Sequence, residues 1–382
     1  MIVRRNSGYD PHMRRLLLAT VLTACAGCPD KSATEPTHSS SVEPSVTAAP
    51  SVTASSAPFA AQKIMREGHA MGTHLTFVAF TTPAVDAQAV NGAIDSAIAE
   101  IVRIEALMTT WQPTSDLSKV NEAAGKRAVG VSKESYDIVA EAVHASEISE
   151  GTFDITFESL HGLWKFDQDL DPHPPSEADV KAKLPLVNYK HIKLDAKATS
   201  IMLDAPGVRI SLGGIAKGYA VDRAVSVLDQ AKITSFYAQA GGDLFTRGKK
   251  PDGTEWQAGV HDPRGPEGSF FALLPTSDHA FSTAGDYERA YIANGKRYHH
   301  IIDPRTGFPA TASRSVTLWA PTALLADELD DAVFILGPEK GLKLVESIDG
   351  VGAVIVDAKN TVWISERLKG KLMVRGAPTD GL

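Results

Sequence analysis

Three aspartates stand inside an apolar run towards the carboxyl-terminal end of the chain, "ADELDDAVFILG" at residues 326–337. Asp327, Asp330 and Asp331 are spaced i, i+3 and i+4, so on a helix their side chains project from one face. Burying carboxylates without partners is costly, because each charge loses its hydration. The pattern therefore indicates that a cation or a hydrogen-bond donor lies beside this helix.

A glycine-rich turn, "ISLGGIAKGYAVDRA" at residues 210–224, leads from a predicted strand into a predicted helix. Gly213, Gly214 and Gly218 would let backbone amides approach a phosphate, and the amino terminus of the following helix favours anions. Lys217 adds a positive charge. The turn matches neither the Walker A loop nor the dinucleotide G-x-G-x-x-G motif. Glycines that merely form a tight turn explain it about equally well.

A polar segment contains the adjacent histidines of "YHHIIDPRTG", residues 298–307. On a strand, His299 and His300 would point to opposite faces. This argues against a shared metal and predicts that one histidine faces a site and the other faces solvent. The "IDPRTG" stretch is also consistent with a simple turn.

The amino-terminal region has the features of an export signal. Arg14 and Arg15 precede the apolar run "LLLATVLTA" at residues 16–24, which is shorter than a membrane span. The run ends in "LTAC", which resembles the bacterial lipobox, whose cysteine is lipidated. An ordinary cleaved signal is the alternative, and Cys28 is a weaker second lipidation position. We predict lipidation of Cys25 and attachment to a bacterial membrane, facing the periplasm.

The domain organisation follows from composition. Residues 1–24 are predicted to be a lipoprotein signal peptide, and residues 25–62, rich in Ser, Thr, Pro and Ala, a flexible tether. Residues 63–382 are predicted to form the catalytic domain. The net charge of −8, with no basic block, argues against a nucleic-acid partner. Both cysteines lie near the amino terminus, which excludes disulfides and thiol nucleophiles from that domain.

Helices and strands alternate without a strict βαβ order, which predicts an α+β fold around a mixed, largely antiparallel sheet. Helical spacing of apolar residues and short β-rich runs define the elements. Predicted helices cover 85–108, 132–149, 220–231, 324–336 and 338–347, and predicted strands cover 74–80, 208–212, 235–240, 315–320 and 352–358.

Together these segments resemble the ApbE family of flavin transferases over about residues 65–350. The matching pieces, in the family's order, are "MGT", "TTWQPTSDLSKVN", "GTFDITFESLHGLW", "SLGGIAKGYAVDRA", "AGGDLFTRG", "FSTAGDYER", "YHHIIDPRTG" and "ADELDDAVFILG". The resemblance implies a two-lobed single catalytic domain with FAD bound in a cleft. It places these residues where the family contacts FAD: Met71, Trp111, Thr152, Phe153, Asp154, Lys217 and the backbone at Ile301. Ser211 occupies another such position, where the family commonly has Asp.

The resemblance also implies a Mg²⁺ site. The family's ion takes the backbone carbonyl at the position of Gly214 and side chains at Asp327 and Asp331, with Asp330 close by. Three carboxylates on one helical face suit this role, because Mg²⁺ prefers hard oxygen ligands. Asp331 stands where the family commonly has Thr, so the site carries an additional negative charge.

The function implied is Mg²⁺-dependent transfer of FMN from FAD to a Thr or Ser hydroxyl of a partner protein, with release of AMP. His300 is the predicted general base, because a neutral imidazole accepts protons near pH 7. The family's acceptor pattern does not occur in this chain, so the acceptor is predicted to be another flavoprotein, a membrane redox subunit. Two alternatives remain at this point: a pyrophosphatase that hydrolyses FAD to FMN and AMP, and a lipid-anchored flavin-binding protein without turnover.

Overall fold

The structure, a computed structural model, describes residues 59–166 and 169–381. The predicted signal peptide, Cys25 and most of the predicted tether lie outside these described residues. Within the described part, no helix is both long enough and apolar enough to cross a membrane.

The described residues form six α-helices, eighteen short or long strands and four 3₁₀ turns. The helices are α1 (Ala87–Met108), α2 (Asp116–Glu122), α3 (Lys133–Ile148), α4 (Glu177–Lys183), α5 (Ala216–Gln230) and α6 (Ala323–Glu346). The strands are β1 (Lys63–Ala70), β2 (Thr73–Phe80), β3 (Val129–Gly130), β4 (Ile192–Asp195), β5 (Ser200–Leu203), β6 (Phe236–Ala240), β7 (Asp243–Arg247), β8 (Trp256–His261), β9 (Phe270–Thr276), β10 (His279–Gly285), β11 (Ala290–Ala293), β12 (Lys296–His299), β13 (Ile302–Asp303), β14 (Phe308–Pro309), β15 (Ser313–Ala320), β16 (Gly352–Asp357), β17 (Val362–Ile364) and β18 (Met373–Val374). The 3₁₀ turns are Ile155–Leu160, Leu184–Leu186, Tyr189–His191 and Glu366–Leu368.

An eight-stranded sheet in the order β1-β2-β6-β7-β10-β15-β16-β17 organises the fold, and each neighbouring pair is antiparallel. Two of its hairpins, β1-β2 and β6-β7, have two-residue turns that contain glycine. Met71 and Gly72 both have positive φ, as a type I′ turn between right-twisted strands requires. The α+β class is therefore confirmed.

The two faces of this sheet bury different apolar clusters. Along β10, Ala280 and Ala284 belong to the main core, which α1, α5 and α6 complete. Phe281, which points the opposite way because strand side chains alternate, belongs to a second core with residues of β8, β9 and β16. The sheet β18-β9-β8 thus covers one face of the large sheet, and the helices cover the other.

Helices α5 and α6 cap each other. Asp222 of α5 accepts hydrogen bonds from the amides of Ala323 and Leu324 at 2.8 and 2.9 Å, in the first turn of α6. Asp327 of α6 accepts one from the amide of Gly218 at 2.8 Å, in the first turn of α5. The first amides of a helix have no partner within the helix. The N-cap residue of α5 offers no side-chain bond, so Asp327 of α6 takes that role for α5, and Asp222 of α5 does the same for α6. This exchange also fixes the aspartate-bearing face of α6 against the start of α5.

The predicted elements are largely confirmed, with one exception. The predicted helices at 324–336 and 338–347 are the two halves of α6, which bends at Gly337, where φ is 73°. The strand predicted at 208–212 is wrong. Its apolar residues are buried in alternation, but its backbone pairs with no strand among the described residues. The Asn121 side chain instead bonds both the amide and the carbonyl of Ile210, at 2.8 and 2.9 Å.

Gly218→Ala is expected to lower the free energy of unfolding by about 1–3 kcal/mol, because it overpacks the contact between α5 and α6. A methyl group there would lie 2.3 Å from the carbonyl oxygen of Ala323 and 2.7 Å from Cβ of Asp327. Gly92→Ala on α1 is the matched control, since nothing lies within 4 Å of its added carbon. Chemical denaturation should show a gain of about 0.5–1 kcal/mol for that control. Equal stabilities for the two variants would contradict the close contact.

Candidate functional site

A buried acidic cluster forms where α6 meets β7 and the start of α5. Asp243, Asp327 and Asp330 place one carboxylate oxygen each within 4.8 Å of one another. Their exposures are only 1, 2 and 5%. Two of the three predicted aspartates of α6 therefore lie in the cluster, and the third member comes from the first residue of β7.

Lys217 supplies the positive charge that faces this cluster. Its Nζ lies 2.8 Å from Oδ1 of Asp327 and 2.9 Å from Oδ2 of Asp243. Burial by itself lowers the pKa of Lys217, but the neighbouring carboxylates, Asp243 before the others, more than offset this and raise the pKa well above its ordinary value. The ammonium group is therefore permanently charged and joins the first turn of α5 to the acidic cluster.

Ser282 of β10 lies between two of the carboxylates. Its hydroxyl is in hydrogen-bond contact with Oδ1 of Asp243 and lies 2.5 Å from Oδ2 of Asp330. A hydroxyl carries a single proton and can donate to only one acceptor at a time. Burial, followed by the charges of Asp331 and Asp327, raises the pKa of Asp330 well above its usual range. The crowding of carboxyl groups around one lysine therefore favours either uptake of a proton by Asp330 or binding of a cation.

Asp331 lies on the side of α6 that faces the glycine turn. A carbon added to Gly214 would lie 3.2 Å from Oδ2 of Asp331 and 3.3 Å from the ring of Phe153. Burial raises the pKa of Asp331 to about 6, although the charge of Lys217 opposes this. Burial and the charge of Asp243 likewise raise the pKa of Asp327 to about 7, against the effect of Lys217. The carboxylates therefore lie close together, and a bound divalent cation would reduce the repulsion between them.

The donor set fits Mg²⁺. Hard carboxylate oxygens dominate it, with no sulfur and no imidazole in the triad. The backbone of Gly214 lies close to Asp331, because a carbon added to the glycine would lie only 3.2 Å from Oδ2 of that aspartate. Together with the crowding of carboxyl groups, these features support the cation site predicted from the helix spacing.

The two histidines differ in burial, but neither faces solvent, so that part of the prediction is wrong; that His300 faces the site stays a prediction. His299 is buried, donates from Nε2 to the carbonyl of Ala310 at 2.8 Å, and packs edge-on against Phe334. His300 follows β12 and is part-exposed; its Nδ1 is buried without a hydrogen-bond partner among the described residues. Burial, then the positive charge of Arg289, lowers the pKa of His300 to about 3. Its imidazole is therefore neutral at pH 7, but it is a weaker base than an ordinary histidine.

Trp111 and Met71 differ in their surroundings. Trp111, in the loop after α1, is 81% exposed and is the most exposed large apolar side chain in the described chain. It borders a groove of about 360 Å³ that Asn121 and Arg209 also line. Met71, with φ of 54° in the turn between β1 and β2, packs partly against the main core.

The segment 152–154 is held mainly by its own hydrogen bonds. Thr152 donates from Oγ1 to the carbonyl of Ser149, and Phe153 is buried. Asp154 caps the following 3₁₀ turn and accepts from Thr156, while its other oxygen accepts from the amide of Tyr189 at 2.7 Å. Both oxygens of Asp154 thus have structural partners.

Ser211 and Ile301 complete the predicted FAD contacts. Ser211 lies in the glycine turn, where its Oγ accepts from the amide of Gly213 at 3.3 Å. Ile301 is buried, and its carbonyl accepts from the amide of Ala310. The FAD contacts of these eight residues stay predictions.

Two residues of the site were missed by sequence reasoning. Asp243 follows the "AGGD" turn, and Ser282 opens "STAGD". Gly241 of that turn has φ of 61° and packs so closely on Thr73 that an added carbon would lie 2.6 Å from its hydroxyl. The sequence feature that could have identified Asp243 is an aspartate directly after two glycines. Only the pairing of β7 with β10 brings it beside Ser282.

The fold and the site define an α+β protein with a buried, oxygen-rich acidic site at the start of a helix. Residues 71–355 match the ApbE family. A FAD:protein FMN transferase of Klebsiella pneumoniae is 32% identical over 284 residues, which is 73% of this chain and 80% of the relative. Its counterpart in Escherichia coli K12 is 28% identical over 314 residues, covering 80% and 88% of the two chains.

Solved structures agree with this comparison. The crystal structure of an ApbE protein from Thermotoga maritima superposes with a TM-score of 0.73 at 32% identity, and covers 81% of this chain and 99% of its own. The flavin transferase ApbE from Vibrio cholerae gives 0.71 at 26% identity, with the same coverage. The chain belongs to the ApbE family, as predicted from its motifs.

Proposed function

We propose that this protein is an FAD:protein FMN transferase, as its relatives in Klebsiella and Escherichia are named. The observation that carries the proposal is the cluster of Asp243, Asp327 and Asp330 next to Lys217, at the first turn of α5. Carboxylates that can hold a cation, together with a lysine, are typical of sites that bind and neutralise phosphate groups. FAD contains such a diphosphate between its FMN and AMP portions.

The reaction begins with the hydroxyl of a Thr or Ser on the acceptor protein. Its oxygen attacks the phosphorus on the FMN side of the FAD diphosphate and forms a phosphodiester bond. The bond from that phosphorus to the bridging oxygen breaks, and AMP leaves with the electron pair. His300 accepts the hydroxyl proton, since its imidazole is neutral at working pH.

Mg²⁺, when bound, would neutralise charge on the diphosphate oxygens as a Lewis acid. The family resemblance assigns the ion to Asp327, Asp331 and the carbonyl of Gly214, with Asp330 beside them. The carboxylates that converge in the structure are those of Asp327, Asp330 and Asp243, so Asp243 would also face the ion. Lys217 keeps Asp327 and Asp243 oriented through its two ion pairs. Ser282 restrains Asp330 from the sheet side.

The acceptor and the cellular location extend this proposal. The acceptor is a second flavoprotein, a membrane redox subunit, and the chain is held at a membrane facing the periplasm through lipid on Cys25. The lipobox-like "LTAC" motif and the Ser/Thr/Pro/Ala-rich stretch support this location. Intact-mass analysis of the mature protein tests it: an unmodified mature amino terminus would refute the anchor.

One assay tests the transferase. The protein is incubated with FAD, Mg²⁺ and a candidate acceptor, and acceptor mass and free AMP are both measured. Acceptor that gains one FMN per AMP released is the expected result. AMP without modified acceptor would instead establish an FAD pyrophosphatase, and bound FAD without AMP would establish a flavin-binding protein.

Trp111→Ala is expected to raise the KM for FAD by about 3- to 10-fold, because aromatic stacking contributes about 0.5–1.5 kcal/mol. Stability should not change, since the side chain is 81% exposed. Trp111→Phe keeps a stacking surface and is expected to recover most of the affinity. Steady-state kinetics and a thermal melt on both variants check this. Unchanged KM in the Ala variant would remove Trp111 from the flavin site.

A further inference from the structure

A second cavity, of about 430 Å³, lies away from the acidic triad, between α3 and the two halves of α6. Its polar lining consists of Glu141, His144, Glu328 and Ser347, and its apolar lining includes Ile148, Leu325 and Leu344. Glu141 and His144 are one turn apart on α3, and His144 is exposed at the rim. Its volume is within the range of about 300–1,000 Å³ that small-molecule sites occupy.

Glu328 brings into the lining of this cavity a buried carboxyl oxygen without a hydrogen-bond partner in the described part of the chain. Its side chain is 2% exposed, and its Oε2 has no hydrogen-bond partner within residues 59–166 and 169–381. Leaving a buried carboxyl oxygen without a partner is costly. The adjacent residues Asp327 and Glu328 of α6 line different sites. Asp327 belongs to the acidic triad, whereas Glu328 lines this cavity. The proposed flavin transfer does not use Glu328.

We propose that this cavity binds an aliphatic ammonium ion. An ammonium group has three donors and no acceptor, which suits Oε2 of Glu328 together with the carboxylate of Glu141. The apolar side chains on the other wall would cover a short alkyl chain. Two carboxyl groups in a half-apolar cavity favour a ligand that brings both positive charge and hydrogen-bond donors, because a neutral alcohol or an anion does not supply both. Among the described residues, the acidic and histidine side chains that converge as a metal-ligand set are those of the triad and not those of this cavity.

Calorimetry with n-butylammonium chloride tests the proposal on the full-length protein, with saturating Mg²⁺ so that the acidic triad does not compete. The wild type is expected to bind the ion and to bind n-butanol more weakly. Glu328→Gln should weaken binding of n-butylammonium by at least about 10-fold, as for a buried charge partner that is lost. Glu147→Gln is the matched control, since Glu147 is an exposed residue of α3 outside the cavity lining. It should bind like the wild type.

Several results would overturn this site. Equal affinity for n-butanol would show an apolar cavity without charge recognition, and unchanged binding by Glu328→Gln would place the ion elsewhere. Zn²⁺ that binds in a Glu328-dependent way, without n-butylammonium binding, would identify a metal site instead. Should Glu328→Gln fold poorly, Glu141→Gln, at a part-exposed position, is expected to weaken binding in the same direction. Wild-type affinity in that folded variant would also refute the proposal.

Discussion

Asp327→Asn is expected to reduce the rate of FMN transfer by at least about 100-fold, because a Lewis-acid metal contributes several kcal/mol to such reactions. The substitution keeps an oxygen that can accept from the amide of Gly218, so the start of α5 should stay capped. It removes the negative charge that faces Lys217 at 2.8 Å. The transfer rate, together with calorimetric titration of Mg²⁺, measures both consequences.

The comparison variant for this prediction is Asp137→Asn. Asp137 is an exposed partner of Lys133 on α3, so its neutralisation should alter neither Mg²⁺ affinity nor transfer. A thermal melt separates the loss of metal from a loss of folding in Asp327→Asn. If that variant binds Mg²⁺ with wild-type affinity and still transfers FMN, the cation is held by other residues.

Local patterns predicted the α6 part of the site well. The i, i+3, i+4 spacing of Asp327, Asp330 and Asp331 is a property of one helix, so sequence alone fixes that they share a side. The burial of Asp327 and Asp330 was also expected from the apolar residues around them, whereas Asp331 is only part-buried. The spacing did not predict that the three side chains would have different neighbours. Asp327 and Asp330 belong to the triad, whereas Asp331 approaches Gly214.

The contribution of the sheet was not predictable in the same way. Asp243 and Ser282 are 39 positions apart, and they meet only because β7 and β10 pair. No local periodicity encodes that pairing. The segment 208–212 shows the complementary error. Its alternating burial is real, but its backbone bonds to groups outside any strand, such as the side chain of Asn121 at Ile210 and that of Ser159 at Arg209. Alternating apolar residues indicate which side chains are buried. They do not indicate which backbone groups form hydrogen bonds with another strand.

His300→Gln is expected to lower kcat for transfer by about 100- to 10,000-fold, the range typical for loss of a general base. FAD affinity should change little, because glutamine keeps a similar size and polarity but cannot take up the hydroxyl proton. His299→Gln is the adjacent comparison. His299 is buried against Phe334 and bonded to Ala310, so its replacement should lower the melting temperature while the folded fraction keeps its kcat.

The pH profile gives His300 a second, independent signature. A histidine in water titrates near pH 6.5, and a base with that pKa would lose activity as the pH falls through that value. The pKa of His300 is lowered to about 3, so its basic form persists as the pH falls and is lost only near that value. At saturating Mg²⁺, which keeps the aspartates ionised, kcat should therefore show no histidine-like decline between about pH 8 and 5. A decline centred near pH 6.5 that disappears in His300→Gln would show that bound FAD restores an ordinary pKa to His300. Retention of wild-type kcat by His300→Gln would mean that another group accepts the proton.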